Sequence, residues 1–522
     1  MNTLLNNKFF VIFFAPFFLG AATILSFPPF NLTFVNFFSF SILLFLLLVL
    51  KKKTTLKYRK KKFNRYFFYL GCAFGFGFFL FGNYWITISL THDEMFIDLV
   101  PFALIIIPLF LSLFFGLAFL IVGPYAEKNI FFILLFSIVF SIFEFFRGNV
   151  LTGFPWNLIS YTWSWSLETI QILSLIGAYS LSLISITFFS IPFLFFKNKI
   201  FKKNLYFILF FLIFFVVNYL YGLNKINNSN YDLEKDITVK VVSPNFSLKD
   251  YKINSEYSQL KRLIKISDPE KNKKTLFIWP EGIFYESNLK DIENYKDLFS
   301  TNFSNNHLII LGINNFDNTT KDKKYFNSLI VLNNNLKILS FYNKINLVPF
   351  GEFLPFENFF SKFGLKKITQ GYSSFSSGDK RDILNLGAKF NEAKILPLIC
   401  YEIIYSGKIK KKNQTPDLVI NISEDAWFGD SIGPNQHFAK AIFRSVEEGV
   451  FIARSANKGI SGIINPNGKT LKFLNRGESG NIEYKMPQFS EQTLFSKYGN
   501  KIFFLIILVY IFVSFIIKRL KI

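Results

Sequence analysis

The segment 393–404, AKILPLICYEII, carries one of only two cysteines in 522 residues. Its Ile- and Leu-rich run, bounded by charged neighbours, predicts a β-strand covered on both faces that stops at Cys400. A thiol at a strand end, followed by the Tyr401 N–H and then the Glu402 carboxylate, has the layout of a nucleophile on an elbow. The same segment also fits a cysteine that only packs, because free Cys is among the most buried residue types. Two other segments bear on that choice. FIWPEG sets Glu281 just past an apolar strand, and YNKINLVPFGEFLPF carries Lys344 and Glu352. A carboxylate, an ammonium and a thiol at strand ends or loop starts can converge at one edge of a sheet. Glu281 would then take the thiol proton and later return it to a leaving group. A charged Lys344 is unsuited to that task, but with the N–H after the nucleophile it can stabilise the oxyanion of a tetrahedral intermediate. No metal is expected, since His92, His307 and His437 are scattered and two cysteines make no zinc site.

The elements that must position these groups lie in the polar stretch 222–500. Strand-like runs occur at 237–242, 275–279, 308–312, 326–332, 338–342, 393–399, 418–422 and 459–464, with helix-like stretches at 251–266 and 436–448. Strands with intervening helices predict a layered α/β domain. The remainder is a different material. The chain is 51% hydrophobic with 73 phenylalanines, too apolar for a water-facing surface of this size. Apolar runs at 9–25, 34–50, 66–90, 99–122, 130–146, 169–196, 205–221 and 502–517 each approach or exceed the roughly 17 to 25 residues that cross a bilayer as a helix. The first is read as a retained span, with no clear small-residue cleavage site. The run 169–196 is long enough to tilt or to begin in the interface. This gives a polytopic membrane domain of about eight transmembrane helices: 1–221 with seven, then the polar domain 222–500, then a final helix in 501–522.

The net charge of +23 does not form an interleaved basic and aromatic surface, so nucleic acid is not an expected partner. Lysines and arginines instead cluster in 51–65, 197–203 and 518–521, whereas 91–98 is acidic. Both termini and the basic loops then fall on the cytoplasmic side and the polar domain outside.

The Glu281, Lys344 and Cys400 segments, in that order and with these flanks, resemble the catalytic triad of the nitrilase superfamily. With the membrane spans, the chain resembles the apolipoprotein N-acyltransferase family almost end to end. The wording that carries this is TGFPWNLISYTW at 152–163, WPEG, NKINLVPFGEFLPF, CYE and NISEDAWFGDSIGPNQH at 421–437. The resemblance implies an α-β-β-α sandwich on the outer, periplasmic side of a bacterial inner membrane, with a monomer sufficing and no cofactor. It implies ping-pong transfer of an acyl chain from a phospholipid, through a thioester on Cys400, to the α-amine of a diacylglyceryl-cysteine on an apolipoprotein. Glu281 is then the base, Lys344 and the Tyr401 N–H the oxyanion donors, and Glu352 and Glu402 supporting carboxylates that orient Lys344 or form a structural salt bridge. Two positions depart from the family pattern: Glu424, where Asn is usual, and Ser243, where Gln is frequent. A membrane-tethered amidase acting on a small amide is the alternative, against which stand seven spans before the domain.

Further residues have two readings each. Trp156, Trp163 and Trp165 either line a lipid path or anchor the interface. Arg147 either binds a phosphate head group or snorkels. Phe353, Phe356, Phe359 and Phe360 form either an apolar lid or ordinary packing. Trp427 and His437 are expected to support the site wall, and Cys72 to pack.

Overall fold

The helices follow from apolar runs with their ends set by local chemistry. The computed structural model describes residues 2–55, 64–196, 202–317, 324–356, 374–411, 413–488 and 492–519. It divides into two compact units, Met1–Asn228 with Tyr498–Ile522, and Ser229–Lys497. Among the described residues of the first unit, seven helices are long and apolar enough to cross a membrane: Val35–Lys53, Asn64–His92, Glu94–Tyr125, Ile130–Asn149, Leu173–Phe196, Asn204–Asn227 and Lys501–Arg519. The first apolar run also forms a helix, Phe10–Ser26, but a shorter one. Pro28 and Pro29 follow it at once, and a residue before proline is disfavoured in the helical region. The run 169–196 is two pieces rather than one long span. A short helix, Leu167–Ile170, precedes Leu173–Ser190, and Gly177 breaks the latter with φ 73°.

Small residues let these helices approach closely. A Cβ at Gly71 would lie 2.6 Å from the Phe115 carbonyl oxygen, and one at Gly116 would lie 2.4 Å from the Cys72 sulfur. Close backbone approach of this kind replaces the hydrophobic drive that lipid does not supply. Cys72 is therefore a packing residue at that crossing.

In the second unit thirteen strands form two sheets among the described residues: β1 (Leu233–Ser243), β2 (Lys274–Ile278), β3 (Phe284–Asn288), β4 (His307–Asp317), β5 (Lys324–Asn333), β6 (Ile338–Asn343), β7 (Leu384–Asn385), β8 (Lys394–Ile399), β9 (Leu418–Glu424), β10 (Phe451–Asn457), β11 (Ser461–Ile464), β12 (Thr470–Leu474) and β13 (Gly480–Pro487). One sheet runs β13-β1-β2-β4-β5-β6 with β3 beside β4, and the other β12-β11-β10-β9-β8-β7. Alternation decides what each face buries. Ile237, Val239 and Val241 of β1, Leu276 and Ile278 of β2 and Leu329 and Val331 of β5 meet Ile395 and Ile399 of β8, Ile420 and Ile422 of β9 and Ala453 of β10 between the sheets. The opposite parity, with Phe277, Trp279, Ile309, Leu311 and Ile330, packs with Leu260 and Leu263 of helix Glu256–Ser267 and Phe299 of helix Lys296–Asn302. The helix Gly433–Glu448 packs against β10 and β11 on the second sheet. The result is the expected α-β-β-α sandwich. Parallel β1-β2-β4 and β8-β9-β10 ladders bring the ends of β2 and β8, which carry Glu281 and Cys400, to the sheet edge where the loops gather.

Candidate active site

Cys400 ends β8 and opens a 3-10 turn, Cys400–Ile404, with φ 47°. A left-handed backbone on a residue with a Cβ costs about 1–3 kcal/mol and persists only where its surroundings over-determine it. Two groups flank it. The Glu402 Oε2 accepts from the Ile399 N–H at 2.9 Å, and the His437 Nε2 lies 3.3 Å from the Cys400 carbonyl oxygen. The thiol itself is held well above its usual range by burial first and then by the Glu281 charge, with Lys344 opposing. Cys400 in its resting form is therefore a thiol.

Lys344 follows β6 and is 1% exposed. Its Nζ donates to Glu352 Oε1 at 2.9 Å and to Glu281 Oε1 at 3.3 Å. Burial alone would lower its pKa, but Glu281 and Glu352 push it well above the ordinary lysine value, so it stays charged. Glu281 sits in the turn after β2, where its Oε2 accepts from the Glu424 N–H at 3.1 Å. Glu352 is turned inward by the tight loop 348–353: its own N–H donates to the Val348 carbonyl at 2.8 Å while its Oε2 accepts from the Val348 N–H at 2.8 Å. Thus Glu281, Lys344 and Glu352 meet as one buried group, and the thiol lies within its field.

Sequence reasoning missed Asn327, whose Nδ2 donates to Glu281 Oε1 at 2.7 Å and to Glu352 Oε1 at 2.8 Å. It shares the parity of Leu329 and Val331, so it faces the space between the sheets, where an amide must find partners. That parity was the available signal. Arg381 was missed as well. Glu402 does not touch Lys344: its Oε1 takes a charge-assisted bond from Arg381, a 2.6 Å bond from the Tyr342 hydroxyl, and the Ile345 and Asn346 N–H groups at 3.0 and 3.1 Å. It fixes the chain on either side of Lys344 instead of the ammonium.

The remaining candidates fall in different places. Phe353 is half-buried, its carbonyl accepting from the Phe350 N–H at 2.8 Å, and Phe356 is 71% exposed. Phe359 and Phe360 lie outside the described residues. Trp427 is half-buried in the 3-10 turn Asp425–Phe428. His437 is fully buried against the Phe428 ring. In the helical unit, Trp156 is 1% exposed, 4.5 Å from the Trp85 ring and stacked on Phe154, so it is an interior residue. Arg147 is 2% exposed, with its guanidinium over Phe79 and donating to the Phe154 and Asn157 carbonyls, which differs from a snorkelling side chain. Trp163 is buried and donates to the Ser185 hydroxyl at 2.8 Å, whereas Trp165 is 55% exposed.

Both departures from the family pattern are buried. The Ser243 hydroxyl reaches the Ala456 carbonyl at 3.4 Å. The Glu424 carboxyl accepts from Asn457 Nδ2 at 2.9 Å and from the Tyr251 hydroxyl at 3.1 Å. Burial raises its pKa to about 8, with Glu281 acting in the same direction against the Asn457 and Ala426 donors. An unfolded Glu titrates near ~4.3, so folding takes up a proton between that value and about 8. Stability therefore falls as pH rises through this window. Glu424→Gln is expected to flatten the melting temperature between pH ~5 and ~8 and to raise it most at the upper end. Parallel melting curves for the two proteins would refute this.

Residues 19–191 match the family described as "Apolipoprotein N-acyltransferase N-terminal domain", and residues 259–490 match "Carbon-nitrogen hydrolase". The chain is 33% identical over 451 residues to the apolipoprotein N-acyltransferase of Rickettsia prowazekii, covering 86% of this chain and 89% of the relative. It is 29% identical to that of Bradyrhizobium diazoefficiens over 92% of this chain and 90% of the relative. Nit3 of Saccharomyces cerevisiae, a nitrilase-superfamily member of solved structure, aligns at 19% identity and TM-score 0.34 over 49% of this chain and 91% of its own. A buried carboxylate–ammonium–thiol group on a sandwich of this type, joined to apolar helices and matched nearly end to end by these relatives, has one consistent assignment: the chain belongs to the apolipoprotein N-acyltransferase family.

Proposed function

We propose that the protein moves a fatty acyl chain from a phospholipid to the free α-amine of a diacylglyceryl-cysteine at the N-terminus of an apolipoprotein, through a thioester on Cys400. The observation that carries this is the Lys344 ammonium held between Glu281 and Glu352 beside a thiol on a left-handed elbow. Because the thiol rests protonated under the Glu281 charge, its proton passes to Glu281 as the sulfur attacks the ester carbonyl. The oxyanion forms against Lys344 and the Tyr401 N–H in the first turn after the nucleophile. The C–O bond breaks, Glu281 gives its proton to the departing lysophospholipid oxygen, and the acyl group stays on sulfur. The lipoprotein amine then attacks the thioester carbonyl and loses a proton to Glu281, and the sulfur leaves and recovers that proton. Lys344 stays charged throughout: Glu352 holds its proton at every step, joined by Glu281 when that group is ionised and by the oxyanion when Glu281 carries the transferred proton. Glu352 and Asn327 keep the ammonium and Glu281 in register, and Glu402 with Arg381 keeps the Lys344 segment in place.

The relatives' names support lipid-modified protein as acceptor, and the apolar helices support lipid as donor. The basic loops support a bacterial inner-membrane location with termini in the cytoplasm and the catalytic unit on the periplasmic face. A monomer contains every group the mechanism uses. In nanodiscs of defined phospholipid with a synthetic diacylglyceryl lipopeptide bearing a free N-terminus, lysophospholipid and N-acylated peptide are expected in equal amounts. Lysophospholipid without acylated peptide would make the protein a phospholipase and overturn the reading.

A further inference from the structure

Cys400 is also reached by groups that the acyl-transfer steps above do not use. The Asp425 carboxylate is fully buried, and Arg454 of β10 donates to both its oxygens, at 3.0 and 2.8 Å. The same Arg454 nitrogen lies 3.0 Å from His437 Nδ1, whose ring reaches the Cys400 carbonyl through Nε2. On the other branch the Ser423 hydroxyl donates to Asp425 Oδ1 at 2.6 Å, which leaves its oxygen to accept from the Cys400 thiol beside it. The chain of contacts therefore starts at the nucleophile's carbonyl and returns to its sulfur.

Protonation of this ring follows from the contacts. His437 is fully buried, and burial followed by the Arg454 charge lowers its pKa to about 4, so the imidazole carries one proton. On Nε2 that proton is donated to the Cys400 carbonyl while Nδ1 accepts from Arg454, satisfying two contacts. On Nδ1 it would serve Asp425 alone, whose oxygens already take Arg454 and Ser423, and would leave a lone pair facing the carbonyl. Asp425 is a carboxylate: burial would raise its pKa, but the Arg454 charge and the Ser423 hydroxyl hold it well below the ordinary range.

We propose that Ser423, Asp425, Arg454 and His437 are positioning residues for Cys400, a buried network hinged on Arg454 that holds the nucleophile's carbonyl and its thiol at once. His437 locks the left-handed elbow, which without such a partner relaxes toward an ordinary strand conformation and misplaces the sulfur. Ser423 and Asp425 act on the thiol in the same direction: a hydroxyl whose proton is committed to Asp425 accepts from the S–H, and the carboxylate charge disfavours the thiolate. The Glu281 and Lys344 charges act on the same sulfur, the first against the thiolate and the second for it.

The test uses the full-length protein in detergent, following carbamidomethylation of Cys400 by iodoacetamide from pH 6 to 10, with peptide mass separating Cys400 from Cys72. Asp425→Asn is expected to speed alkylation at neutral pH by about tenfold, and Ser423→Ala to speed it a few-fold, as removal of a like charge and of an acceptor that holds the S–H require. His437→Leu is expected to lower the rate of acyl-enzyme formation by about 10- to 100-fold with less than about a twofold change in KM, and His437→Gln, which retains an N–H, to recover much of the loss. Alkylation profiles that coincide with the unaltered protein, or wild-type acylation in His437→Leu, would overturn the proposal. Ser423→Ala removes only a hydroxyl, so it still decides the matter if the Asp425 variant does not fold. The acylation readout rests on the thioester reading, whereas alkylation does not. These alkylation shifts without any acyl adduct would sink that reading and leave the network standing.

Discussion

Glu281→Gln is expected to slow acyl transfer to Cys400 by about three to four orders of magnitude, near the upper end of what a positioned general base contributes. The substitution keeps shape but not function. The Gln carbonyl can still accept from Asn327 and Lys344, yet its amide would then face the Glu424 N–H, donor against donor, where the carboxylate now accepts. No group then takes the thiol proton, and the thiol is one that burial already makes reluctant to ionise. The residual rate should climb with pH, as free thiolate replaces base-assisted attack. Single-turnover release of lysophospholipid across pH 6 to 10 measures both effects, and a rate within tenfold of the unaltered protein would remove Glu281 from the base role.

Lys344→Met should cost both chemistry and stability. Among the described residues Lys344 is the cation bonded to both Glu281 and Glu352, and all three are buried. Breaking a buried pair by removing one partner costs about 3–5 kcal/mol, because the remaining charges have lost both water and counter-ion. Here two carboxylates would be left on either side of Asn327. Removal of the oxyanion donor adds a loss of about 10²–10³ in rate. Thermal melts alongside the lysophospholipid assay separate the two effects. A variant that melts with the unaltered protein would show that the ammonium is dispensable to the fold, and one that also retains activity would remove it from the mechanism.

Much of this was legible because apolar period and strand ends are written locally. The apolar runs 237–242 and 275–279 marked β1 and β2 themselves, and WPEG and CYE marked the ends of β2 and β8. What escaped is what charge pairing decides at a distance. FIARSAN did not read as a strand, since a central arginine suggests an exposed segment, yet β10 is buried throughout because Asp425 neutralises Arg454. Glu402 was open to two readings, orienting Lys344 or forming a structural salt bridge, and its partner in the bridge, Arg381, stands twenty-one positions before it where no local pattern marks it. Asn327 stood in an apolar strand with only its parity to reveal it. In the helical unit, hydropathy marked the apolar runs but not the break at Gly177, which is a backbone property. Nor did it show the burial of Arg147, whose partners are main-chain carbonyls without a sequence signature.

The central claim is that Cys400 carries the acyl group between two substrates. Its most direct test is the intact mass of the full-length protein after incubation with one defined phospholipid, with the adduct located by peptide mass. The expected result is a gain of one acyl chain on the Cys400 peptide, labile to hydroxylamine, absent in Cys400→Ala and discharged on addition of a diacylglyceryl lipopeptide with a free N-terminus. An adduct elsewhere, an adduct that water removes as fast as the lipopeptide does, or acylated peptide formed at full rate by Cys400→Ala would contradict the account.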